Sequence, residues 1–308
     1  MLKVTADIFS GRPNPEWVVD EAQAAPILRE ISLSSGVAAS LDSGFQGLGN
    51  RGLIVEFLDD RFATDNGLPN SFRLAGGGSA QEGLAMEAAE KLVATMTPEA
   101  GGHPAAASAN LAEAGALPLD KPLQKFILET LPGRQGSVVT LEPSAAEESG
   151  PASFAAQAAC TIEVGAFNPG FWNDAAHIGK NNCYNYASNR RTDTFAQPGR
   201  AMGHMYAAIN CAEVTNGAVR DGASLDCAPA NQAPRWYMAL VIAPGPGFVD
   251  YHWYRKSKEG FWGHKPGGTA ARNTDNSGAI IFDPRTANRG PYTIFCRFMF
   301  AQKKMIVK

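Results

Sequence analysis

The segment Asn181-Asn182-Cys183-Tyr184-Asn185-Tyr186-Ala187 predicts a short helix that begins beside a cysteine. Asparagine is a favoured N-cap residue, so either Asn181 or Asn182 can begin this helix and place Cys183 in its first turn. A helix N-terminus lowers the pKa of a thiol, and the thiolate is the reactive form of cysteine. Cys183 is therefore a candidate nucleophile.

An aromatic strand predicted over 248–254 carries a candidate base, His252. His264, on the next predicted strand, could lie beside His252 and orient its ring. Cys183, His252 and His264 would then act as nucleophile, base and orienting group of a thiol peptidase or amidase. A cysteine helix followed by a histidine strand resembles the order in papain-like and NlpC/P60-like hydrolases. This resemblance implies an α+β fold of that type for the second half.

The same residues also fit a protein without catalysis. A cysteine between asparagine and tyrosine in an apolar helix is often simply buried. His252, which lies between Tyr251 and Trp253, can equally be a core residue. The residues therefore leave two interpretations open, a thiol hydrolase and a papain-like fold that is used for binding.

The loop after the cysteine helix and the aromatic strands supply candidate binding residues. Arginine binds carboxylates through two parallel hydrogen bonds, so an acidic peptide or a peptide C-terminus is a reasonable ligand. Large aromatic side chains commonly anchor a bound peptide. Arginine–aspartate pairs within the protein and a small aromatic core are the alternatives. The candidate peptide-binding residues are Arg190, Arg191, Arg200, Tyr251, Trp253 and Trp262.

Length and charge predict two domains. A chain of 308 residues exceeds one typical domain. Residues 1–158 contain 20 acidic and 10 basic residues, a net charge of −10, whereas the remainder contains 10 acidic and 17 basic residues, a net charge of +7. We expect an acidic α+β domain over 1–142, a linker over 143–158 and a basic, aromatic-rich α+β domain over 159–308.

Hydrophobic periodicity and turn residues predict the order of helices and strands. Asp20 is the predicted N-cap of a helix that extends to about residue 31. Further helices are predicted over 81–96 and 123–131, and in the second half a helix is followed by an antiparallel sheet. The predicted strands are 4–9, 17–19, 52–58, 71–74, 137–141, 237–242, 248–254, 260–265 and 279–282.

The cysteines and the N-terminal residues predict a soluble cytoplasmic protein with free thiols. The five cysteines are odd in number, and no C-x-x-C pair occurs. The first residues lack the apolar core of a secretion signal, and no apolar run is long enough to make a membrane the expected partner. Without secretion, a disulfide framework is not expected.

No metal site and no cofactor is predicted. Metal-ligand spacing is missing among the cysteines and histidines. The G-x-G-x-x-G match at 47–52 precedes a predicted strand, whereas a dinucleotide loop follows one. Single-stranded nucleic acid is a further alternative ligand for the basic second half, but its charges are scattered, so nucleic acid is not the expected partner.

Long motifs in both halves resemble known proteins. The motifs are Phe9-Ser10-Gly11-Arg12-Pro13-Asn14-Pro15, Leu48-Gly49-Asn50-Arg51-Gly52, Cys183-Tyr184-Asn185-Tyr186-Ala187, His252-Trp253-Tyr254-Arg255, Trp262-Gly263-His264-Lys265-Pro266-Gly267 and Asp275-Asn276-Ser277-Gly278. They resemble a family of uncharacterised bacterial and fungal proteins. Members of that family resemble the peptide-binding proteins of crocagin biosynthesis in myxobacteria.

This resemblance implies non-catalytic binding of a ribosomally made precursor peptide. The peptide would be presented to modifying enzymes of the same natural-product pathway, which are then further partners. It would bind between the acidic and basic halves, or as an added strand at an exposed sheet edge. The resemblance carries no established catalytic residues, so peptide binding is the leading function and a Cys183–His252 thiol peptidase or amidase is the alternative.

Overall fold

The computed structural model describes residues 1–96, 119–131, 162–226 and 235–308. Backbone contacts divide the chain into two units. Unit 1 comprises Met1–Phe9 and Asn14–Thr140, and unit 2 comprises Ser10–Pro13 and Leu141–Lys308. The sequence prediction placed residues 10–13 in the first domain, whereas their contacts group them with unit 2. The predicted linker over 143–158, the predicted strand over 137–141, Cys160 and Cys227 lie outside the described residues.

Both units combine helices with an antiparallel sheet, which confirms the predicted α+β class. Unit 1 has a four-stranded antiparallel sheet in the order β2-β1-β3-β4. In chain order its elements are β1 (Leu2–Ala6), β2 (Glu16–Val19), α1 (Glu21–Leu33), β3 (Leu53–Phe57), α2 (Asp60–Asp65), β4 (Ser71–Leu74), α3 (Glu82–Ala94) and α4 (Lys121–Thr130).

Local sequence explains how α1 begins and why β1 is short. The Asp20 side chain accepts the backbone N–H of Gln23, so the predicted N-cap of α1 is confirmed. Strand β1 ends at Ala6, three residues before the predicted end of the strand. It stops there because the N–H groups of Ile8 and Phe9 donate to the Asn14 side chain instead of to a neighbouring strand.

A buried ion triad ties together the strands of unit 1. The Asp7 carboxylate accepts hydrogen bonds from Arg51 at 2.7 Å and from Arg73 at 3.0 Å. All three side chains are almost fully buried. Burial alone would raise the pKa of Asp7, but the two guanidinium groups outweigh it and lower the pKa to about 2. This charge pairing gives Asp7 and Arg51 a structural role. Arg51 lies in one of the long motifs, and Asp7 lies just before another.

Unit 2 has a second four-stranded antiparallel sheet, in the order β7-β6-β5-β8. One face of this sheet packs against two helices, α6 and α7, around the side chains of Met238, Leu240, Tyr251 and Trp253. The elements in chain order are α5 (Pro169–Asn173), α6 (Cys183–Ser188), α7 (Cys211–Arg220), β5 (Arg235–Pro244), β6 (Val249–Lys256), β7 (Trp262–His264) and β8 (Ile294–Gln302).

The strands predicted over 237–242, 248–254 and 260–265 are confirmed as β5, β6 and β7. The strand predicted over 279–282 is wrong, since Ile280 forms only an isolated bridge with Thr274. The sequence prediction missed α2, α5, α7 and β8. The papain-like topology of the second half stays a prediction.

A disulfide in unit 2 corrects the expectation of free thiols. Cys211, the first residue of α7, is bonded to Cys296 on β8, 85 residues later in the sequence. Sequence spacing alone does not reveal which cysteines pair, because the pairing depends on how the chain folds. Cys183 is a buried free thiol, as expected.

Candidate functional site

The helix α6 begins through the hydrogen bonds of Asn182. Its side chain accepts the N–H groups of Tyr184 and Asn185, and the Asn185 side chain accepts the N–H of Asn182 in return. This reciprocal arrangement is a capping box. Cys183 is therefore the first residue of the helix, where the sequence predicted it.

Burial determines the chemistry of Cys183. The side chain is 0% exposed, and its Sγ lies 4.0 Å from the backbone carbonyl oxygen of Tyr251. Removal from water raises the pKa of the Cys183 thiol well above its ordinary value and outweighs the neighbouring backbone N–H groups. The protonated thiol is a poor nucleophile.

The structure brings the two predicted histidines together. His252 Nε2 lies 2.8 Å from His264 Nδ1, and His264 Nε2 lies 3.0 Å from the carbonyl oxygen of Thr274. A carbonyl only accepts, so His264 carries its proton on Nε2, and His252 Nε2 must donate to His264. Burial lowers the pKa of His264 to about 3, which keeps this ring neutral.

The arrangement does not support a catalytic triad of Cys183, His252 and His264. Successive side chains of a strand point to opposite faces. Tyr251 and Trp253 pack with Cys183, so His252 lies on the other face of β6, where its ring contacts His264. The thiol and the candidate base are thus separated by the sheet, and all three side chains are buried.

Iodoacetamide is expected to leave Cys183 unmodified in the native protein at near-neutral pH. The reason is twofold: the sulfur is buried, and its raised pKa suppresses the thiolate. Mass spectrometry of the peptide containing Cys183 checks this, with the same protein alkylated in guanidinium chloride as the reference. Native modification at the rate of an unfolded thiol would contradict the burial of Cys183 and its raised pKa.

The polar groups around α6 and β6 hold the segment Ser10–Pro13 within unit 2. The buried carboxylate of Asp250 accepts the N–H groups of Ser10, Gly11 and Arg12 at 2.6–3.3 Å. It also accepts the Tyr292 hydroxyl at 2.6 Å. Burial raises the pKa of Asp250, although these hydrogen bonds oppose the shift.

The carbonyl oxygen of Gly11, like its N–H group, is hydrogen-bonded to buried side chains. It accepts hydrogen bonds of 2.8 Å from each of three side chains, those of Asn182, Gln197 and Tyr251. Asn182 therefore both caps α6 and holds Gly11. These contacts assign a structural role to Gly11, which lies in one of the long motifs.

Of the predicted peptide-binding residues, the aromatic ones on β6 are in the core. Tyr251 and Trp253 are both 0% exposed, so they are not available to a ligand, and this part of the prediction is wrong. They are buried because they face the helices α6 and α7. Trp262 is also buried, but it lies on the opposite face of the sheet, among aromatic rings that are partly exposed.

The three predicted arginines are half-buried and contact their own unit. Arg190 lies over the Trp236 ring at 5.3 Å and donates to the carbonyl oxygen of Met305. Arg191 lies 3.9 Å over the ring of Phe171. Arg200 has a longer contact of 3.5 Å with the carbonyl oxygen of Thr194. Arg190 therefore stabilises the fold, whereas the ring partner of Arg191, Phe171, is exposed.

Four aromatic residues, Tyr237, Trp262, Phe298 and Phe300, form a continuous cluster of rings that we call the aromatic shelf. Tyr237 stacks on Phe298 and Phe300 with ring centroids 5.0 and 5.1 Å apart, and Trp262 stacks on Phe298 at 5.4 Å. Tyr237 and Phe298 are half-buried. The shelf lies on the face of the sheet away from α6 and presents partly exposed rings beside β8.

The outer edge of β8 is paired at one position, Phe300, within the part of the chain that the structure describes. Phe300 exchanges two backbone hydrogen bonds of 2.9 Å with Ser224 on this side. Because backbone groups alternate in direction along an antiparallel strand, Phe298 also presents its N–H and C=O outward. Within the described ranges, no backbone partner reaches Ile294–Phe298 from that side, and these five residues are half-buried.

The sequence prediction missed β8 and therefore this edge. The signal was the segment Ile294-Phe295-Cys296-Arg297-Phe298, whose β-branched and aromatic residues are typical of a strand. The position of β8 at the edge of the sheet, however, follows from its pairing with β5 on one side, and a single sequence does not show which strands pair.

Two further features were sought among the residues that the structure describes. No group of three or more histidine, cysteine, aspartate or glutamate side chains there is placed to hold a metal ion. No helix in the same ranges combines the length and apolar character needed to cross a membrane.

Comparison with known proteins links the chain to a curated protein. No family model matches the chain, and no solved structure matches it. Insoluble matrix shell protein 1 of Ruditapes philippinarum is 50% identical to this chain over 129 residues, which are 42% of this chain and 84% of that relative. Since the match spans most of the relative at half identity, the chain belongs to the family of insoluble matrix shell protein 1.

Proposed function

We propose that this protein is a non-catalytic peptide-binding protein that takes up an extended peptide along the outer edge of β8. The observation that carries the proposal is the open edge at Ile294–Phe298 beside the aromatic shelf. An edge strand offers its outward backbone N–H and C=O groups to an added strand. Phe298 lies in the regular part of β8, whereas Cys296 is an unpaired residue at a register shift opposite Leu240 and Val241. Peptides are commonly recognised in this way, with main-chain hydrogen bonds for affinity and side-chain pockets for specificity.

The site also has rigid support. Phe298 stacks on two other rings of the aromatic shelf, Tyr237 and Trp262, so its position is set before a ligand arrives. The disulfide from Cys296 to Cys211 ties the edge strand to α7. A preformed edge loses less conformational entropy on binding than a mobile loop would lose.

The peptide in this proposal is a ribosomally made precursor peptide, which the protein would present to modifying enzymes of a natural-product pathway. The long motifs that resemble the crocagin peptide-binding proteins support this setting. The buried, protonated state of Cys183 supports binding without catalysis. Unit 2 would thus use a papain-like type of topology as a binding scaffold.

A component of an extracellular matrix is the second candidate function. The 50% identity to insoluble matrix shell protein 1 favours it, and the Cys211–Cys296 disulfide suits an oxidising compartment better than the cytoplasm predicted from the sequence. Recovery of the native protein from the insoluble fraction of its source would favour the matrix role. Recovery as a soluble cytoplasmic protein with both thiols reduced would oppose it.

Replacing Phe298 with proline is expected to weaken peptide binding at least about tenfold. Proline removes the outward N–H of residue 298, on which an added strand depends, without removing a hydrogen bond to β5. Candidate precursor peptides encoded beside the gene would be titrated against the wild type and the variant by calorimetry.

The matched control for this variant is Phe298→Ala. Alanine removes the ring but keeps the backbone N–H, so it separates loss of the shelf contact from loss of the strand hydrogen bond. Binding by Phe298→Pro at wild-type strength, with an unchanged circular dichroism spectrum, would show that peptides do not add to β8.

A further inference from the structure

We infer that the β8 edge selects an acidic peptide in which an aromatic residue is followed directly by aspartate or glutamate. This inference rests on the proposed function and names the peptide class for that same edge. The inference is based on two adjacent residues of β8, Phe298 and Arg297, whose side chains lie on opposite faces of the sheet beside an added strand.

Phe298 determines the aromatic position. In an antiparallel pair, the residue opposite Phe298 lies on the same face of the sheet. That face carries the aromatic shelf, with Arg285 5.6 Å over the Phe298 ring. Aromatic and β-branched residues form the favourable cross-strand pairs with such a ring. A large apolar side chain at this peptide position would therefore cover the half-buried shelf.

Arg297 determines the acidic position. Its side chain points to the other face, because it is adjacent to Phe298 on the strand. Across β5 it lies opposite Leu240, a core residue, and is itself half-buried. No carboxylate within the described ranges forms an ion pair with Arg297. A strand that runs antiparallel to β8 places the residue after the aromatic one opposite Arg297, and a carboxylate there would form a charge-assisted hydrogen bond.

Charge in the surroundings supports the same choice. The second half of the chain carries a net charge of +7. A second copy of this chain is a poorer occupant. The sequence of β8, Ile294–Gln302, contains no acidic residue, so a β8–β8 pair would leave Arg297 without a carboxylate.

Fluorescence polarisation with designed peptides tests the inference. The probes are capped, fluorescein-labelled peptides of roughly nine residues, with threonine and valine alternating on each side of a central Phe-Glu, Phe-Lys or Ala-Glu pair. Wild-type protein is expected to bind the Phe-Glu probe about tenfold more tightly than either of the other two probes.

Charge reversal at Arg297 is expected to reverse the preference. Arg297→Glu should bind the Phe-Lys probe more tightly than the Phe-Glu probe, and Arg297→Gln should bind the two about equally. The matched control is Lys304→Glu, which makes the same change in net charge at an exposed residue outside β8 and should keep the wild-type order. If Arg297 had only a structural role, Arg297→Glu would weaken the binding of both probes without reversing their order of affinity.

The outcomes separate this inference from the proposed function. If Phe298→Pro abolishes binding of the probes but Arg297→Glu keeps the wild-type order, the edge binds peptides and the acidic preference is wrong. If Phe298→Pro binds like the wild type, the edge itself is wrong. A third outcome is that no probe binds and that light scattering shows concentration-dependent dimers, which Phe298→Pro abolishes. This result would make a second copy of the chain the occupant of the edge, and it would overturn both the inference and the proposed function.

Discussion

Replacing Asp7 with asparagine is expected to lower the free energy of unfolding by about 3–5 kcal/mol at neutral pH. The carboxylate is the shared partner of Arg51 and Arg73, and all three side chains are buried. Without it, two guanidinium groups would remain in a low-dielectric interior. Urea unfolding followed by circular dichroism measures the loss, and Asp65→Asn is the control because Asp65 is an exposed aspartate of unit 1.

The contribution of Asp7 should depend on pH in a defined direction. Its pKa is lowered from 3.8 to about 2 in the folded protein, so folding favours the ionised form. The stabilisation is fully present above the unfolded value of 3.8 and is lost as pH falls towards 2. It corresponds to roughly 2–3 kcal/mol. An Asp7→Asn variant with the same acid unfolding midpoint as the wild type would contradict this role.

Replacing Gly11 with alanine is expected to lower the free energy of unfolding by about 3 kcal/mol or more. A Cβ atom at Gly11 would lie 2.4 Å from the Tyr251 ring and 2.5 Å from the Tyr251 carbonyl oxygen. The backbone of a central strand cannot move aside, so the segment Ser10–Pro13 would shift and lose its hydrogen bonds to Asp250.

The control for Gly11→Ala is Gly179→Ala. A Cβ at Gly179 meets no atom within 4 Å, so this variant adds the same methyl group without a clash. It is expected to change stability by less than about 0.5 kcal/mol. Thermal unfolding monitored by tryptophan fluorescence would compare the two. Equal stability of both variants would show that Ser10–Pro13 is not held as tightly as the hydrogen bonds indicate.

Helix starts and strands with clear local patterns were predictable from the sequence. Asp20 and Asn182 cap helices through their own side chains and the N–H groups of the next residues, so the interaction lies within a few positions of the chain. The strand Val249–Lys256 has the aromatic composition that favours a sheet. Such short-range interactions depend little on the rest of the fold.

The chemistry of Cys183 and His252 was not predictable in the same way. The sequence places a cysteine at a helix start and a histidine on a strand, and both placements are confirmed. Whether the two side chains meet depends on which face of β6 turns towards α6. A shift by one residue would exchange those faces, and burial of Cys183 between α6 and the sheet reverses the expected direction of the thiol pKa.

The amino-acid sequence by itself determined the α+β class, the capped starts of α1 and α6, and most strands of both sheets, because capping and alternation act over a few residues. Only the tertiary structure decided that Asp250 and Asn182 hold Gly11, that Cys211 pairs with Cys296 and that Ile294–Phe298 of β8 has no outer strand partner among the described residues. These features join residues that are far apart in the chain, and their geometry is set by packing and by strand pairing.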